Sequence, residues 1–285
     1  MLSFVEITTC GTPKVTRATL GGNSVGGVTS LGDDVFVVRF NRGFKSQQIE
    51  VYDAMSLTLQ RCLSVPDSGS RSHGLAVCAN NNCLYASDWF QHSVHRVELS
   101  GSSNAVTQWS VASQPHGLTV NNANNLLVAS YGEHKLQEFT THGTLLQNIQ
   151  LQLEPCHAVP LANGQFVVSS RKPLPCVRLV DANGAVIQSY GGQKGSQLSE
   201  IKEPKGLAVD KHGNILVAEE RNNRLLVLDP SLTIAHEMSV SVDGGLNGPF
   251  SLWYDESRGR LYIGENAGGR VIVIDDLKDF STSQV

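Results

Sequence analysis

The stretch EPKGLAVDKHGNILVAEERNNRLLVLD, residues 203–229, decides how the rest of the chain is read. Three strand-forming runs, GLAV, ILVA and RLLVL, are separated by DKHGN and EERNN, two clusters of turn-forming residues. A unit this short cannot bury its own apolar face, so it needs neighbours of the same kind. They stand on both sides of it: GVTSLGDDVFVVRF with QIEVYD, HGLAVCANNNCLYAS with HRVEL, HGLTVNNANNLLVAS with KLQEF, HAVPLANGQFVVSS with VRLVD, and FSLWYDESRGRLYIGE with RVIVID.

Most copies go on to a fourth, more polar strand: LTLQRCLSV, AVTQWSV, TLLQNIQL, AVIQSYG and IAHEMSV. Units of four strands beginning near Gly26, His73, His116, His157, Lys205 and Phe250 recur every 41 to 48 residues. That period implies an all-β, six-bladed propeller occupying residues 1–285 as one domain. The last copy lacks its fourth strand. KVTRATLGG, residues 14–22, has the fourth-strand pattern and is expected to complete the sixth blade, so that an N-terminal strand closes the ring. SFVEITT, just before it, has no place in this count.

The fifth unit also resembles a known family. Its P-x-G-L-A-V-D, G-N-I-L-V-A-E and N-N-R-L-L-V-L-D segments, led in by GGQKGSQLSEIKEP, are similar to the NHL repeat. The resemblance implies two kinds of function. NHL propellers of tripartite-motif ubiquitin ligases bind RNA hairpins or proteins, whereas the NHL propeller of peptidyl-hydroxyglycine amidating lyase is a zinc enzyme. No paired Cys/His spacing of a RING or B-box is present in this sequence.

His73, His116 and His157 stand 43 and 41 residues apart, each at the start of a first strand. First strands line the central channel of a propeller, so the three imidazoles are expected at one mouth, with Gly26, Lys205 and Phe250 at the equivalent positions of the other blades. Each imidazole either satisfies loop carbonyls there or helps hold zinc or another divalent metal with a fourth position open. In the amidating lyase the zinc histidines sit in similar contexts but on roughly alternate blades, whereas these lie on three consecutive ones. A catalytic version would use Lys205 as a base or charge stabiliser in a metal-dependent lyase or hydrolase. Streptogramin lyases are propellers with histidines at a similar place. The bland alternative for Lys205 is an exposed loop lysine.

The second-to-third loops open on the same face as that mouth. They are RFNRGFKSQQ, SDWFQHS, SYGEHK, SRKPLP, EERNNR and ENAGGR, with a summed charge of +4 against −4 for the whole chain. Arg39, Arg42, Lys45, Trp89, Phe90, Arg171, Lys172, Arg221 and Arg224 are the candidate contacts for a protein or RNA partner. The basic clusters fall on opposite sides of the ring, which argues against one phosphate-tracking stripe. Phe44, Tyr131 and Phe250 are further aromatic candidates, some of them packing residues. Asp88, Glu219, Glu220 and Glu265 begin these loops and are expected to brace them.

The remaining signals exclude more than they assign. GNSVG, residues 22–26, fits G-x-S-x-G but lies between two strands, where no nucleophile elbow forms. There is no HExxH, P-loop or dinucleotide fingerprint, so no organic cofactor is implied. No apolar run reaches membrane length, and MLSFVEITTC lacks the basic flank of a secretion leader. Six cysteines without a CxxC pair, and no Asn-x-Ser/Thr, point to a reducing cytoplasmic setting. Cys78 and Cys83 flank a tight turn as two buried thiols or as a cross-hairpin pair. The leading expectation is a non-enzymatic platform, and the alternative is the histidine-based metal enzyme.

Overall fold

In the computed structural model, which describes residues 15–18, 23–39, 48–65, 74–100, 104–278 and 280, apolar runs separated by Asn/Asp/Gly turns form antiparallel meanders. Five blades follow directly in sequence. They are β2–β5 (Val25–Leu31, Asp34–Arg39, Gln48–Asp53, Leu59–Ser64), β6–β9 (Leu75–Cys78, Cys83–Asp88, Ser93–Glu98, Val106–Ser110), and β10–β13 (Pro115–Val120, Leu126–Ser130, Lys135–Phe139, Leu145–Gln150). Then come β14–β17 (Glu154–Pro160, Phe166–Lys172, Cys176–Val180, Val186–Gly191) and β18–β21 (Pro204–Val209, Ile215–Glu219, Arg224–Leu228, Ala235–Met238).

The sixth sheet contains β22–β24 (Pro249–Asp255, Arg260–Glu265, Val271–Ile274) with β1 (Val15–Ala18) at its outer edge. β1 pairs antiparallel with β24 in the register Val15 to Ile274 through Ala18 to Val271. The inner strands touch in a ring, β2 to β6, β10, β14, β18 and β22, and β22 returns to β2. The fold is therefore an all-β six-bladed propeller of four-stranded antiparallel sheets, with 3-10 turns at Tyr131–Glu133 and Glu220–Asn222. Among the described residues no helix is long and apolar enough to cross a membrane.

Burial explains why the middle strands read as unbroken apolar runs. β19 and β20 are buried at every residue because a neighbouring blade covers each face. Outer strands such as β13 and β17 are exposed at all but one residue, which is why their sequences are polar and irregular. The core divides into six clusters, one for each pair of adjacent blades. Between blades five and six, Leu216, Leu225, Val227, Leu261, Ile263 and Ile272 meet, and burial of each such side chain contributes about 1.5–3 kcal/mol.

The turns show the expected chemistry. Asp210 accepts backbone N–H bonds from His212 and Asn214, both at 2.9 Å, and Gly213 adopts φ +83°, a conformation that side-chain-bearing residues resist. Cys78 and Cys83 face each other across the β6–β7 pairing, and both are buried free thiols.

The junction of blades six and one carries more than β1. Val25, Val28, Val37, Tyr262, Val271 and Val273 form its apolar cluster. Arg258 contacts Asp33 at 2.8 Å, and Trp253 Nε1 donates to Ser30 Oγ at 2.8 Å. Removal of residues 1–22 measures the share of the outer strand. We expect the shortened protein to stay folded on the inner ring but to melt about 5 °C or more lower, because β24 loses its edge partner. An unchanged Tm in thermal denaturation would assign closure to the blade junction alone.

Candidate functional site: the mouth of the central channel

The inner strands bring together residues that are far apart in sequence. Gly27, Gly74, Leu75, His116, Gly117, Cys156, His157, Lys205, Gly206, Phe250 and Ser251 surround the axis. The strands converge so closely that the space between them is a cavity of about 30 Å³, room for a water molecule but far below the roughly 300 Å³ of a small-molecule pocket. Glycine permits this approach. A Cβ on Gly117 would lie 2.7 Å from Cys156 O, and one on Gly74 would lie 2.5 Å from His116 O.

Register corrects the expected equivalence of the histidines. Pro115, Pro155, Pro204 and Pro249 all pair with the end of the second strand, opposite Ser130, Ser170, Glu219 and Glu265 respectively. One residue further on stand His116, Cys156, Lys205 and Phe250. Cys156, not His157, is thus the counterpart of His116, and His157 takes the place held elsewhere by Gly117, Gly206 and Ser251. The same one-residue bulge follows the proline in β10, β14, β18 and β22, so the difference is that His157 stands two residues after its proline and His116 only one. The signal was present in sequence as the preceding proline; equal histidine spacing obscured it.

His157 ties three consecutive blades. Its Nδ1 accepts the Leu207 N–H at 3.0 Å, while Nε2 lies 3.0 Å from Thr119 Oγ1 and 3.3 Å from Leu118 O. Thr119 donates its own proton to Ala158 O at 2.7 Å, so Nε2–H is the donor and the ring is the neutral Nε2–H tautomer. Desolvation pushes its pKa down to about 4.

His116 is only 6% exposed and sits in an aromatic cluster, with ring centroids 5.9 Å from Trp89, 6.3 Å from Tyr131 and 5.8 Å from Phe250. His73 lies outside the described residues, as do Arg42, Phe44 and Lys45. Among the described residues no group of three His, Cys, Asp or Glu side chains is placed to hold a metal. A metal at His157 would have to displace hydrogen bonds already made by both ring nitrogens.

Lys205 is not the exposed loop lysine of the bland reading. It is 5% exposed, its Nζ lies 5.3 Å from the Phe250 ring centroid, and Glu203 and Glu220 flank it at 3.8 and 3.6 Å. Glu220 also accepts from Asn266 Nδ2 at 2.8 Å. A lysine held between two carboxylates is a fixed cation linking loops.

Two of the candidate contact arginines are structural. Arg224 is buried, bonds Glu219 at 2.5 Å, and donates to the carbonyls of Ser196, Gln197 and Glu200. Arg270 repeats the device with Glu265 and the carbonyls of Asp243 and Gly245. Arg39 occupies the position that holds Glu219 and Glu265 in other blades, paired with Val25, and turns inward in the same way. It bonds Glu50 at 2.8 Å, Asn23 O at 2.7 Å and Gly269 O at 2.9 Å. Asp88 braces its loop by accepting from the Phe90 and Gln91 N–H groups, each at 3.0 Å.

Several of the surface residues that remain gather around Tyr131, whose ring centroid lies 5.5 Å from that of Trp89 and 5.9 Å from Lys172 Nζ. Phe90 is 50% exposed beside the half-buried Trp89, and Leu174, which sequence reasoning passed over, is 54% exposed beside Lys172. Arg171 Nε donates to Tyr131 Oη at 2.8 Å, and its guanidinium carbon lies 5.2 Å from that ring's centroid. Lys172 is exposed near Glu154 at 3.6 Å, and Arg221 is exposed near Glu203 at 3.7 Å. Tyr131 is buried, and desolvation raises its pKa to about 12, so the phenol is neutral.

Comparison with known proteins agrees with this architecture. Residues 202–228 match the NHL repeat family. Over 136 residues, 45% of this chain, it is 24% identical to Protein brain tumor of Drosophila melanogaster and 26% identical to B-box type zinc finger protein ncl-1 of Caenorhabditis elegans. Those matches span only 12% and 15% of the respective relatives.

Two solved structures share the fold. A Bacteroides thetaiotaomicron protein of unknown function superposes with a TM-score of 0.71 at 16% identity, covering 91% of this chain and 72% of its own. Virginiamycin B lyase from Staphylococcus aureus gives 0.65 at 9%, covering 93% and 99%. The chain is a six-bladed propeller containing an NHL repeat.

His157 yields a pH prediction. Its folded pKa lies below the unfolded value near 6.5, so the unfolded chain binds the extra proton between those values. The contribution of the neutral ring is complete above pH 6.5 and is lost as pH falls towards 4, by at most roughly 3 kcal/mol. His157→Gln should be less stable at pH 7 yet lose less stability between pH 6.5 and 4, as measured by urea denaturation across that range.

Proposed function

We propose that the chain is a non-enzymatic interaction platform that engages a macromolecular partner on the face carrying the channel mouth. The observation that carries this reading is the pairing of a nearly filled axis with a rim on which Phe90, Lys172, Leu174 and Arg221 are exposed and Trp89 and Arg171 half-buried. A closed axis suits contact across a surface, in which partly exposed aromatic and arginine side chains act as anchors. The resemblance to NHL propellers supports protein or RNA as the partner class.

Charge on the rim favours protein. Glu133, Glu154, Glu203 and Glu220 alternate with the cations, making ion pairs with Lys135, Lys172, Lys205 and Arg221. A polyanion following the rim would meet these carboxylates, whereas a protein of mixed charge can match them. The five described cysteines are free thiols, which supports the reducing cytoplasmic setting.

Affinity purification with the wild-type chain and a Trp89→Ala/Phe90→Ala variant, each with and without ribonuclease, tests the reading. We expect bound proteins that survive ribonuclease and fall at least tenfold with the variant, while its Tm stays within a few degrees of wild type. Partners lost on ribonuclease treatment would make RNA the ligand. Equal recovery by both proteins would remove this face from consideration.

A further inference from the structure

Arg171 differs from the other arginines of the mouth face in its electrostatic company. Arg39, Arg221, Arg224 and Arg270 each have a carboxylate within 4.0 Å. Among the described residues Arg171 makes no ion pair; its one side-chain hydrogen bond there goes from Nε to the neutral Tyr131 phenol. That bond and the stack against the Tyr131 ring hold the guanidinium in place, leaving the Nη1/Nη2 edge for a further acceptor. A partly buried cation with no carboxylate in ion-pair contact, on which Glu203 acts only from longer range, held in orientation near the exposed Leu174, is the preorganised half of a charge-assisted fork.

From this geometry we infer that Arg171 is the receptor for a single carboxylate on a protein partner, with the exposed Leu174, three residues further along the chain, receiving an apolar side chain. The inference rests on the platform reading and names the chemistry of its partner: an acidic, apolar peptide segment. Complementarity chooses the carboxylate over a phosphate. Glu154 stands 3.6 Å from Lys172 next door, and Glu203 and Glu133 lie on the same rim, so a dianion is opposed by more fixed negative charge than a monoanion. Planar guanidinium and planar carboxylate also match edge to edge through two parallel N–H bonds.

The test selects from a displayed library of random dodecapeptides on the full chain, then measures the strongest synthetic peptides by fluorescence anisotropy. We expect enriched peptides to carry Asp or Glu next to Phe, Leu or Trp. Replacing that acid by its amide should weaken binding at least tenfold, and so should Arg171→Ala. Combining the two changes should weaken it little further. Arg171→Lys, which keeps the charge and the fold but loses the fork, should fall between.

Enriched peptides without an acid, amide peptides that bind as well, or a phosphoserine version that binds more tightly than the acid would each overturn the carboxylate assignment. So would a failure to enrich any peptide. The platform reading is scored separately: peptides weakened by Trp89→Ala or Phe90→Ala but indifferent to Arg171 sink only this inference, whereas indifference to all three sinks both.

Discussion

Everything in this molecule depends on the burial of each blade's apolar face against the next. No blade covers itself. β19 and β20 are buried throughout, and apolar apart from the Glu219–Arg224 pair at one end, because β22–β24 lie on one side and β14–β17 on the other, and the same arrangement recurs at all six junctions. In an open array the end units would show uncovered faces, and closure of the ring removes them. Val25, Val37, Tyr262 and Val273 provide that last contact, reinforced by Arg258 with Asp33 and Trp253 with Ser30.

Closure also determines what the axis can hold. Six inner strands drawn together by their outer packing meet at Gly27, Gly74, Gly117, Gly206 and Ser251, and the remaining space is about 30 Å³. The glycines matter because they let backbone approach backbone. His157, the exception in this ring, is accommodated by hydrogen bonds to blades three and five, and burial keeps it neutral. Chemistry at this end of the molecule is therefore displaced outwards to the loops, whose inner layer of Asp88, Glu219, Glu265, Arg39, Arg224 and Arg270 holds them rigidly. A platform with such supports presents its outer side chains at fixed positions, which lowers the ordering cost of binding.

Much of the architecture was legible because it rests on short-range pattern. GLAV, ILVA and RLLVL separated by DKHGN and EERNN dictate a meander, and its recurrence dictates blades. Acidic residues at the loop starts were readable as braces. Arg39 and Arg224 were not, since a positive charge in a polar loop has the same sequence appearance whether it faces water or a neighbouring carbonyl. Lys205 was misleading in the opposite sense, being buried between two carboxylates contributed by different loops.

The sequence by itself determined the number of blades, the order of their strands and the face on which the first strands begin, because these follow from period, turn chemistry and apolar alternation along the chain. Only the tertiary structure decided which side chains meet. Cys156 takes the place of His116 one residue after the proline, and the folded ring is what sets His157, one residue further on, between the strands of blades three and five. The rim likewise becomes a candidate surface only when Trp89, Tyr131 and Arg171, drawn from three blades, are seen to meet at the Tyr131 ring. Contacts across a ring depend on register and on the distance between backbones, and neither quantity is written in the spacing of residues along one strand.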